Sequence, residues 1–229
     1  MRSGPTPGLF PSLGTDVHVR FSTRLDGDFH IEQPRASLDA TRRAFVDLPW
    51  SQPDEVHGTT VGVVERPGHL DGTVADALVT DCVNSVLGIW VGDCAPVALV
   101  SASGRIGGAH AGWRGLEAGV LAACVAAVRR SSGEHVEAVL GPCIHACCYE
   151  FGRDDLDRLV ARFGQQVAGV TSTGSPALDV PAAVAAALAE LGVEVADRGG
   201  CTGCDADRWF SHRARAERGR HVMAVWRAA

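Results

Sequence analysis

The chain has 229 residues, of which 46% are hydrophobic, and a formal net charge of −6. This length suits one large domain or two small ones, and the hydrophobic fraction provides a sizeable core and argues against disorder. The acidic balance argues against a nucleic-acid-binding protein. No apolar run approaches the roughly 20 residues of a membrane helix, and the N-terminus lacks an apolar signal-peptide stretch, so we expect a cytoplasmic protein.

The residue patterns predict a flexible arm at 1–14 and one domain at 15–229. Turn-rich stretches, including 69–81, are interpreted as loops. Strands and helices mix without regular βαβ alternation, which predicts a single α/β (α+β) domain with a mixed sheet and flanking helices. In chain order we expect a strand at 17–24, a helix at 37–48 with Ser37 as its N-cap, strands at 56–66, 85–91, 96–102 and 105–111, a helix at 114–130, a strand at 135–142, helices at 153–163 and 180–191, and strands at 193–198 and 221–227.

All 21 basic residues are arginine, which excludes a Schiff-base lysine or a P-loop lysine from this chain. In a cytoplasmic protein, the eight cysteines are expected to be buried thiols, metal ligands or nucleophiles. Those at 143, 147 and 148 could form a thiol-rich wall with Cys94, although packing is the favoured interpretation for most of them. Cys201 and Cys204 form a lone CxxC pair, for which we expect structural thiols rather than a zinc ribbon or a redox centre.

Three stretches place a reactive side chain at the boundary of a predicted strand. They are "DEVHG" with His57, "VGDCAP" with Asp93 and Cys94, and "GAHAGWRG" with His110. Strand ends beside small residues are where open α/β folds build binding sites. Two histidines and one cysteine could hold a catalytic zinc that leaves its fourth position open. The spacing is not a local zinc motif, so the residues alone favour the alternative interpretation, a buried cysteine and two turn histidines with no shared role.

From about residue 56 onwards the chain resembles the YfiH-type laccase-domain family, also called polyphenol oxidase family proteins or peptidoglycan editing factors. The motifs that carry the resemblance occur in the order "VHG", "DCAPV", "GGAHAGWRG", "LGPCIHACCYEFG", and "CT" followed by "FSHR" and "GR", with a weaker start at "RFSTR". The resemblance implies an α/β fold and one metal ion, usually zinc, bound by His57, Cys94 and His110.

The resemblance also implies purine nucleoside chemistry, namely phosphorolysis of adenosine, inosine or methylthioadenosine, and deamination of adenosine. A bacterial branch of the family is linked to the removal of wrongly incorporated residues from peptidoglycan precursors. The family name includes a laccase activity, but the nine histidines contain no His-x-His pair, which weighs against a full multicopper centre. A single copper ion in a His₂Cys site is chemically reasonable.

Other side chains near these motifs suit supporting roles. Arg114, at the predicted helix start, could bind phosphate through its guanidinium fork, with help from the helix N-terminus, or could be an ordinary surface residue. Asp93 could orient a ligand histidine or act as an acid or base, or could belong to a connecting turn. The basic stretch 210–220 could line the pocket mouth, although a solvated turn is the favoured interpretation.

This chain departs from the family pattern at three places. Glu55 replaces the usual Gln of "QVHG", and Gly92 replaces the usual Ala of "ADC". The segment that follows "STR" is also short and lacks the "GGVS" turn and "SLNL" strand of the family. That segment contributes to the substrate side of the family's pocket, so its loss leaves the substrate open.

Two hypotheses follow. In the first, the protein is a zinc-dependent purine nucleoside enzyme whose partners are a purine nucleoside and phosphate, with Cys94, Asp93 and Arg114 as catalytic residues. In a variant of it, Cys94 is free of metal and is the nucleophile of a cysteine amidohydrolase that edits peptidoglycan precursors. In the second, the protein binds metal but is catalytically weak and has a regulatory role.

Overall fold

The computed structural model describes residues 16–229, so the predicted arm at 1–14 lies outside the described residues. Its strands are β1 Val17–Phe21, β2 Trp50–Ser51, β3 Val61–Val64, β4 Ala77–Thr80, β5 Val86–Val91, β6 Ala95–Ser101, β7 Ile106–Ala111, β8 Val136–Leu140, β9 Ala168–Val170, β10 Pro176–Leu178, β11 Glu194–Asp197 and β12 His221–Arg227. Its α-helices are α1 Arg35–Phe45, α2 Trp113–Ala118, α3 Val120–Val128, α4 Arg153–Phe163, α5 Val180–Ala189 and α6 His212–Arg215.

The strands form two large mixed sheets and a small hairpin. One sheet has four strands in the order β1-β12-β5-β2, and the other has six in the order β11-β8-β6-β7-β4-β3, while β9 and β10 pair with each other. The pairs β2–β5, β3–β4 and β8–β11 are parallel, and the remaining pairs are antiparallel. The mixed α/β (α+β) fold predicted from the sequence is therefore confirmed.

The two large sheets pack face to face, and helices cover the far side of the six-stranded sheet. In β6, Val97 and Leu99 belong to the core cluster shared with α3 and α5, whereas Ala98 and Val100 pack with Ile89 of the four-stranded sheet. Strand β6 is thus buried on both faces, which explains its continuous apolar run. A third cluster, which includes the last residue of α1, covers the outer face of the four-stranded sheet.

Three predicted helices have different bounds in the structure, of which the one predicted at 180–191 only ends earlier, at Ala189. Helix α1 begins at Arg35, and the N–H groups of Ser37 and Leu38 donate to the carbonyl of Pro34, so Ser37 lies inside the helix and is not its N-cap. The predicted helix 114–130 is two helices, because Gly119 adopts a left-handed φ of 97° between α2 and α3. A left-handed residue cannot continue an α-helix, and glycine adopts that conformation at little cost.

Two predictions on either side of "VHG" are also corrected. The predicted strand 56–66 shrinks to Val61–Val64, because His57 has a φ of 61° and its N–H binds a carboxylate instead of a neighbouring strand. The predicted loop 69–81 contains the buried strand β4, which pairs with both β3 and β7. Among the described residues, no helix combines the length and the apolar character needed to cross a membrane.

Candidate metal centre and pocket

The three residues predicted to bind metal come together at one end of the six-stranded sheet. Cys94 immediately precedes β6, and His110 is the penultimate residue of β7. The antiparallel register pairs Ala95 with Ala111, and it therefore places Cys94 beside His110. His57 reaches them from the loop before β3. One donor atom from each of the three lies within 4.8 Å of the others, and Cys94 Sγ is 3.7 Å from His57 Nε2.

Gly112, in "HAGWRG", leaves the space that this cluster occupies. A Cβ atom at this position would lie 2.6 Å from His57 Cδ2 and 3.2 Å from Cys94 Sγ. Real Cβ atoms do not come within 2.6 Å of another atom, so any larger residue would displace His57 and crowd Cys94. Gly112 is therefore a packing requirement of the cluster itself.

Asp76, directly before β4, positions two of the three donors. Its Oδ1 accepts from the N–H of His57 at 2.7 Å and lies 2.9 Å from His110 Nδ1, and its Oδ2 accepts from the N–H of Gly58 at 2.7 Å. The contact with Nδ1 leaves Nε2 of His110 free to face the cluster. A carboxylate on the far nitrogen of a ligand histidine is the usual support of a protein zinc site.

Asp76 is not among the residues that the sequence motifs predicted. The available signal was the short apolar run "ALV" after it, which would have placed a carboxylate at the start of a buried strand.

Two residues of this region have unusual backbone conformations. His57 has a φ of 61° and Asp93 a φ of 124°, both positive although neither residue is glycine. Such conformations cost roughly 1–3 kcal/mol each and persist where the surroundings hold them in place. At His57 the bonds from Asp76 to two successive N–H groups supply that restraint.

The cluster lies at the wall of a cavity of about 380 Å³. This volume is within the range of small-molecule pockets, which start at roughly 300 Å³. Aromatic side chains and cations share the lining with the metal-ligating residues. Besides those three, the lining residues are Glu55, Trp90, Val91, Gly92, Asp93, Trp113, Arg114, Tyr149, His212, Arg213 and Arg220.

Without a bound metal ion, Cys94 and His110 form a charged pair. Burial raises the pKa of Cys94, but the charge of His110 and hydrogen bonds from His110 and His57 outweigh it and lower the pKa to about 6. Burial lowers the pKa of His110, but the charges of Glu55 and Cys94 and the bond to Asp76 raise it well above its usual value. A thiolate at this position is the form in which cysteine binds metal or attacks carbon.

Glu55, which replaces the usual glutamine, is a buried carboxyl beside the cluster. Its Oε1 accepts from the N–H of Trp90 at 3.0 Å, and its Oε2 lies 3.7 Å from His110 Nδ1. Burial raises its pKa well above the usual value, although the charge of His110 opposes the shift. The departure from the family pattern therefore places a second titratable acid next to His110.

Asp93 lies in the cavity wall, but its hydrogen bonds point to the C-terminal loops and not to a histidine. It accepts from the hydroxyls of Thr202 at 2.6 Å and Ser211 at 2.7 Å, and from the N–H of Arg213 at 2.6 Å. The carboxylate on His110 is Asp76, so the orienting role predicted for Asp93 belongs to Asp76. An acid or base role for Asp93 stays a prediction.

The predicted cations do reach the cavity. Arg114 lines it with its guanidinium 4.2 Å from the ring centroid of Trp113, in a helix α2 of only six residues. From the basic stretch 210–220, His212, Arg213 and Arg220 also line the cavity. These three residues therefore lie at the cavity, as the alternative interpretation of that stretch expected, and His212 and Arg213 are also exposed to solvent, as the favoured one expected.

The cysteines outside this centre do not simply pack. Cys124 and Cys143 are buried as expected, but Cys147, Cys148, Cys201 and Cys204 have their sulfur atoms within 4.8 Å of one another. The lone CxxC pair thus meets two cysteines of another loop. The sequence could not show this, because the two loops are more than 50 positions apart.

A family model described as multi-copper polyphenol oxidoreductase laccase matches residues 8–228. The chain belongs to this laccase-domain family. The family was predicted from the motifs around His57, Cys94 and His110, and this prediction is confirmed.

Curated relatives in the laccase-domain family are named purine nucleoside phosphorylases. One from Xylella fastidiosa is 36% identical over 182 residues, which cover 75% of this chain and 70% of the relative. One from Pseudomonas aeruginosa is 32% identical over 228 residues, which cover 97% of this chain and 89% of the relative.

Solved structures share the fold. A Neisseria meningitidis protein is 28% identical with a TM-score of 0.81, and the match covers 95% of this chain and 96% of that one. The Bacillus licheniformis protein YfiH is 24% identical with a TM-score of 0.80, covering 92% of each chain, and shows the fold alone.

Proposed function

We propose that this protein is a zinc-dependent purine nucleoside enzyme whose main reaction is phosphorolysis of adenosine, inosine or methylthioadenosine. The observation that carries the proposal is a metal-ligating cluster in the wall of a cavity that is also lined by three arginines and three aromatic residues. The names of the relatives support the same reaction. Deamination of adenosine is a second reaction for the same pocket.

The donor set fits zinc. His57, Cys94 and His110 provide two nitrogens and a thiolate, which match a three-ligand catalytic zinc site with one open position. Asp76 holds His110 in the required orientation, and Gly112 leaves room for the cluster. When bound, zinc supplies a Lewis acid at the cavity wall. The same donors also accept copper, so the native metal has to be measured.

Arg114, Arg213 and Arg220 suit the phosphate. Arg220 uses Nη1 on three backbone carbonyls, and Arg213 uses Nη1 on the carbonyl of Glu150, which orders both side chains at the cavity. Guanidinium groups bind phosphate oxygens in pairs of hydrogen bonds. In phosphorolysis a phosphate oxygen attacks C1′ of the ribose, the bond to the base breaks, and the departing base takes up a proton.

Aromatic side chains suit the purine. Trp90, Trp113 and Tyr149 line the cavity and provide faces on which a base can stack. His30, from the short segment after "STR", packs against Trp90 with ring centroids 4.9 Å apart. This segment thus reaches the rim of the pocket, and we propose that it shapes substrate choice in this chain.

The test is turnover of the purified metal-loaded protein. Adenosine, inosine and methylthioadenosine are incubated with and without phosphate, and the products are separated by chromatography. We expect free base and ribose 1-phosphate only when phosphate is present, and no turnover by Cys94→Ala or His110→Ala. If the protein with a full metal complement shows neither base release nor deamination, the proposal is contradicted. That result would favour a catalytically weak metal-binding protein.

Phosphate recognition has a separate test. Arg114→Gln removes one charged donor, a loss of about 1.5–3 kcal/mol, and should raise the KM for phosphate about 10- to 100-fold. Arg66→Gln, an exposed arginine outside the cavity lining, is the matched control and should leave the KM unchanged. Equal KM values for the two variants would remove Arg114 from the phosphate site.

The position of Cys94 beside His57 favours a second candidate. The sulfur of Cys94 lies 3.7 Å from His57 Nε2. Although burial raises the pKa of Cys94, the charge of His110 and hydrogen bonds from both histidines lower it to about 6. Cys94 could therefore attack an amide carbon as a thiolate. That enzyme would be a cysteine amidohydrolase acting on peptidoglycan precursors. Metal removal separates the candidates, because chelation should abolish phosphorolysis and preserve a thiol-dependent amidase.

A further inference from the structure

A second group of metal-ligating side chains lies outside the proposed catalytic cluster. Cys147 and Cys148 lie on a short 3₁₀ turn, and Cys201 and Cys204 lie on a loop after β11. We propose that these four cysteines bind a second zinc ion, as thiolates, in a site that is structural and independent of the proposed reaction.

Three of the distances between the sulfur atoms are close to the edge length of a tetrahedral zinc site, and all four atoms lie within 4.8 Å of one another. Cys147 Sγ lies 3.6 Å from Cys201 Sγ and 3.4 Å from Cys204 Sγ, and Cys148 Sγ lies 3.4 Å from Cys204 Sγ. Four sulfurs at about 2.3 Å from a zinc ion form a tetrahedron with edges of about 3.8 Å. A disulfide would require a separation of about 2.05 Å, and all four cysteines are free thiols.

The two loops are shaped to bring the sulfurs together. Cys201 and Cys204 have the C-x₂-C spacing of zinc-binding turns, and the N–H of Cys204 donates to the carbonyl of Cys201 at 3.2 Å. Between them, a Cβ at Gly203 would lie 2.5 Å from Cys148 Cβ and 2.8 Å from its Sγ. Only glycine at this position allows Cys148 to approach.

Hydrogen bonds around the cluster suit a charged tetrathiolate. The N–H of His145 donates to Cys201 Sγ at 3.4 Å, which is the kind of contact that supports a metal-bound thiolate. Arg215 donates to the carbonyls of Thr202 at 3.1 Å and Gly203 at 3.0 Å, so its guanidinium holds the backbone of the C-x₂-C loop. Each sulfur would lose its proton on metal binding, and four sulfurs fill the coordination sphere.

Such a site would stabilise two parts of the wall of the cavity beside the proposed catalytic cluster. Thr202, between two of the cysteines, donates to Asp93, the neighbour of Cys94. Tyr149 follows Cys148 directly and lines the cavity. A metal joining the two loops would therefore fix two parts of the cavity wall without contacting substrate, as closed four-ligand zinc sites do.

The metal content of the reduced protein tests the proposal. We expect about two zinc ions per chain in the wild type, about one in Cys201→Ser/Cys204→Ser, and about one in His110→Ala. The matched control Cys82→Ser, at a cysteine outside both clusters, should keep both ions. One ion in the wild type and none in His110→Ala would overturn the second site while leaving the proposed catalytic metal intact.

A measurement on the wild type covers the case in which the double variant fails to fold. The zinc-loaded and the chelated protein are alkylated under reducing conditions, and each cysteine is mapped by mass spectrometry. Zinc should protect Cys147, Cys148, Cys201 and Cys204, and cobalt substitution should give the intense absorption of a tetrahedral thiolate site that persists in His110→Ala. Equal alkylation of these cysteines with and without zinc would overturn the proposal.

Discussion

At the scale of single residues, Asp76 supports two of the three proposed metal ligands. Asp76 binds both the ring of His110 and the N–H of His57. We expect Asp76→Asn to weaken zinc binding at the proposed catalytic cluster about 10- to 100-fold, as loss of such a carboxylate typically does. Competition with a chromogenic chelator measures the affinity. The control is Asp81→Asn, at a half-exposed carboxylate that pairs with Arg130, which should bind zinc as the wild type does.

Gly112 is a second residue whose role follows from distance alone. Gly112→Ala would place a methyl group 2.6 Å from His57 Cδ2. We expect loss of the metal from this cluster together with about 1–3 kcal/mol of destabilisation, the usual cost of overpacking. Gly152→Ala is the control, because a Cβ there meets no atom within 4 Å. A metal content equal to that of the wild type in Gly112→Ala would contradict the packing argument.

At the scale of elements, the junction of α2 and α3 shows how one residue divides a helix. The apolar spacing of 114–130 continues across Gly119, but its φ of 97° turns the chain between the two helices. In Gly119→Ala, the new Cβ would have its nearest neighbour at 4.0 Å, so there is no steric clash. The loss of stability would come from the left-handed backbone conformation alone. We expect the free energy of unfolding in urea to fall by roughly 1–2 kcal/mol. An unchanged stability would mean that the junction tolerates an ordinary helical conformation.

The hydrophobic pattern predicted the bounds of elements that depend on their own residues, and it failed for elements whose bounds depend on contacts with distant residues. Helix α4 and strand β12 have the predicted bounds, because the first has a regular apolar stripe and the second a continuous apolar run. Strand β4 was missed because its four residues follow a turn-rich stretch and gain their order from β3 and β7. The strand expected from residue 56 starts later because the carboxylate of Asp76 competes for the backbone of His57.

At the scale of the whole molecule, one buried histidine links stability to pH. Burial lowers the pKa of His221, on the central strand β12, to about 3, and the charges of Arg220 and Arg24 add to the effect. Below about pH 6.5 the unfolded chain binds a proton that the folded protein does not, so this histidine lowers stability as the pH falls, by about 1.4 kcal/mol per pH unit down to about pH 3.

His221→Phe should remove this part of the pH dependence. We expect the unfolding free energy, measured by urea denaturation from pH 7 to pH 5, to fall less steeply in His221→Phe than in the wild type. His135→Gln changes an exposed histidine and should keep the wild-type slope. Parallel slopes for His221→Phe and the wild type would show that His221 is protonated in the folded state.

The sequence by itself determined the family and the fold class, because the family motifs are contiguous and the apolar runs are regular. It also predicted His57, Cys94 and His110 as metal ligands, through the resemblance that these motifs carry. Only the tertiary structure decided what supports them. Asp76 lies 34 positions from His110, and Cys147 lies 57 positions from Cys204, yet each pair is in contact. Such contacts depend on sheet register and loop packing, which no local sequence pattern encodes. They form the support of the proposed catalytic centre and the four-cysteine cluster.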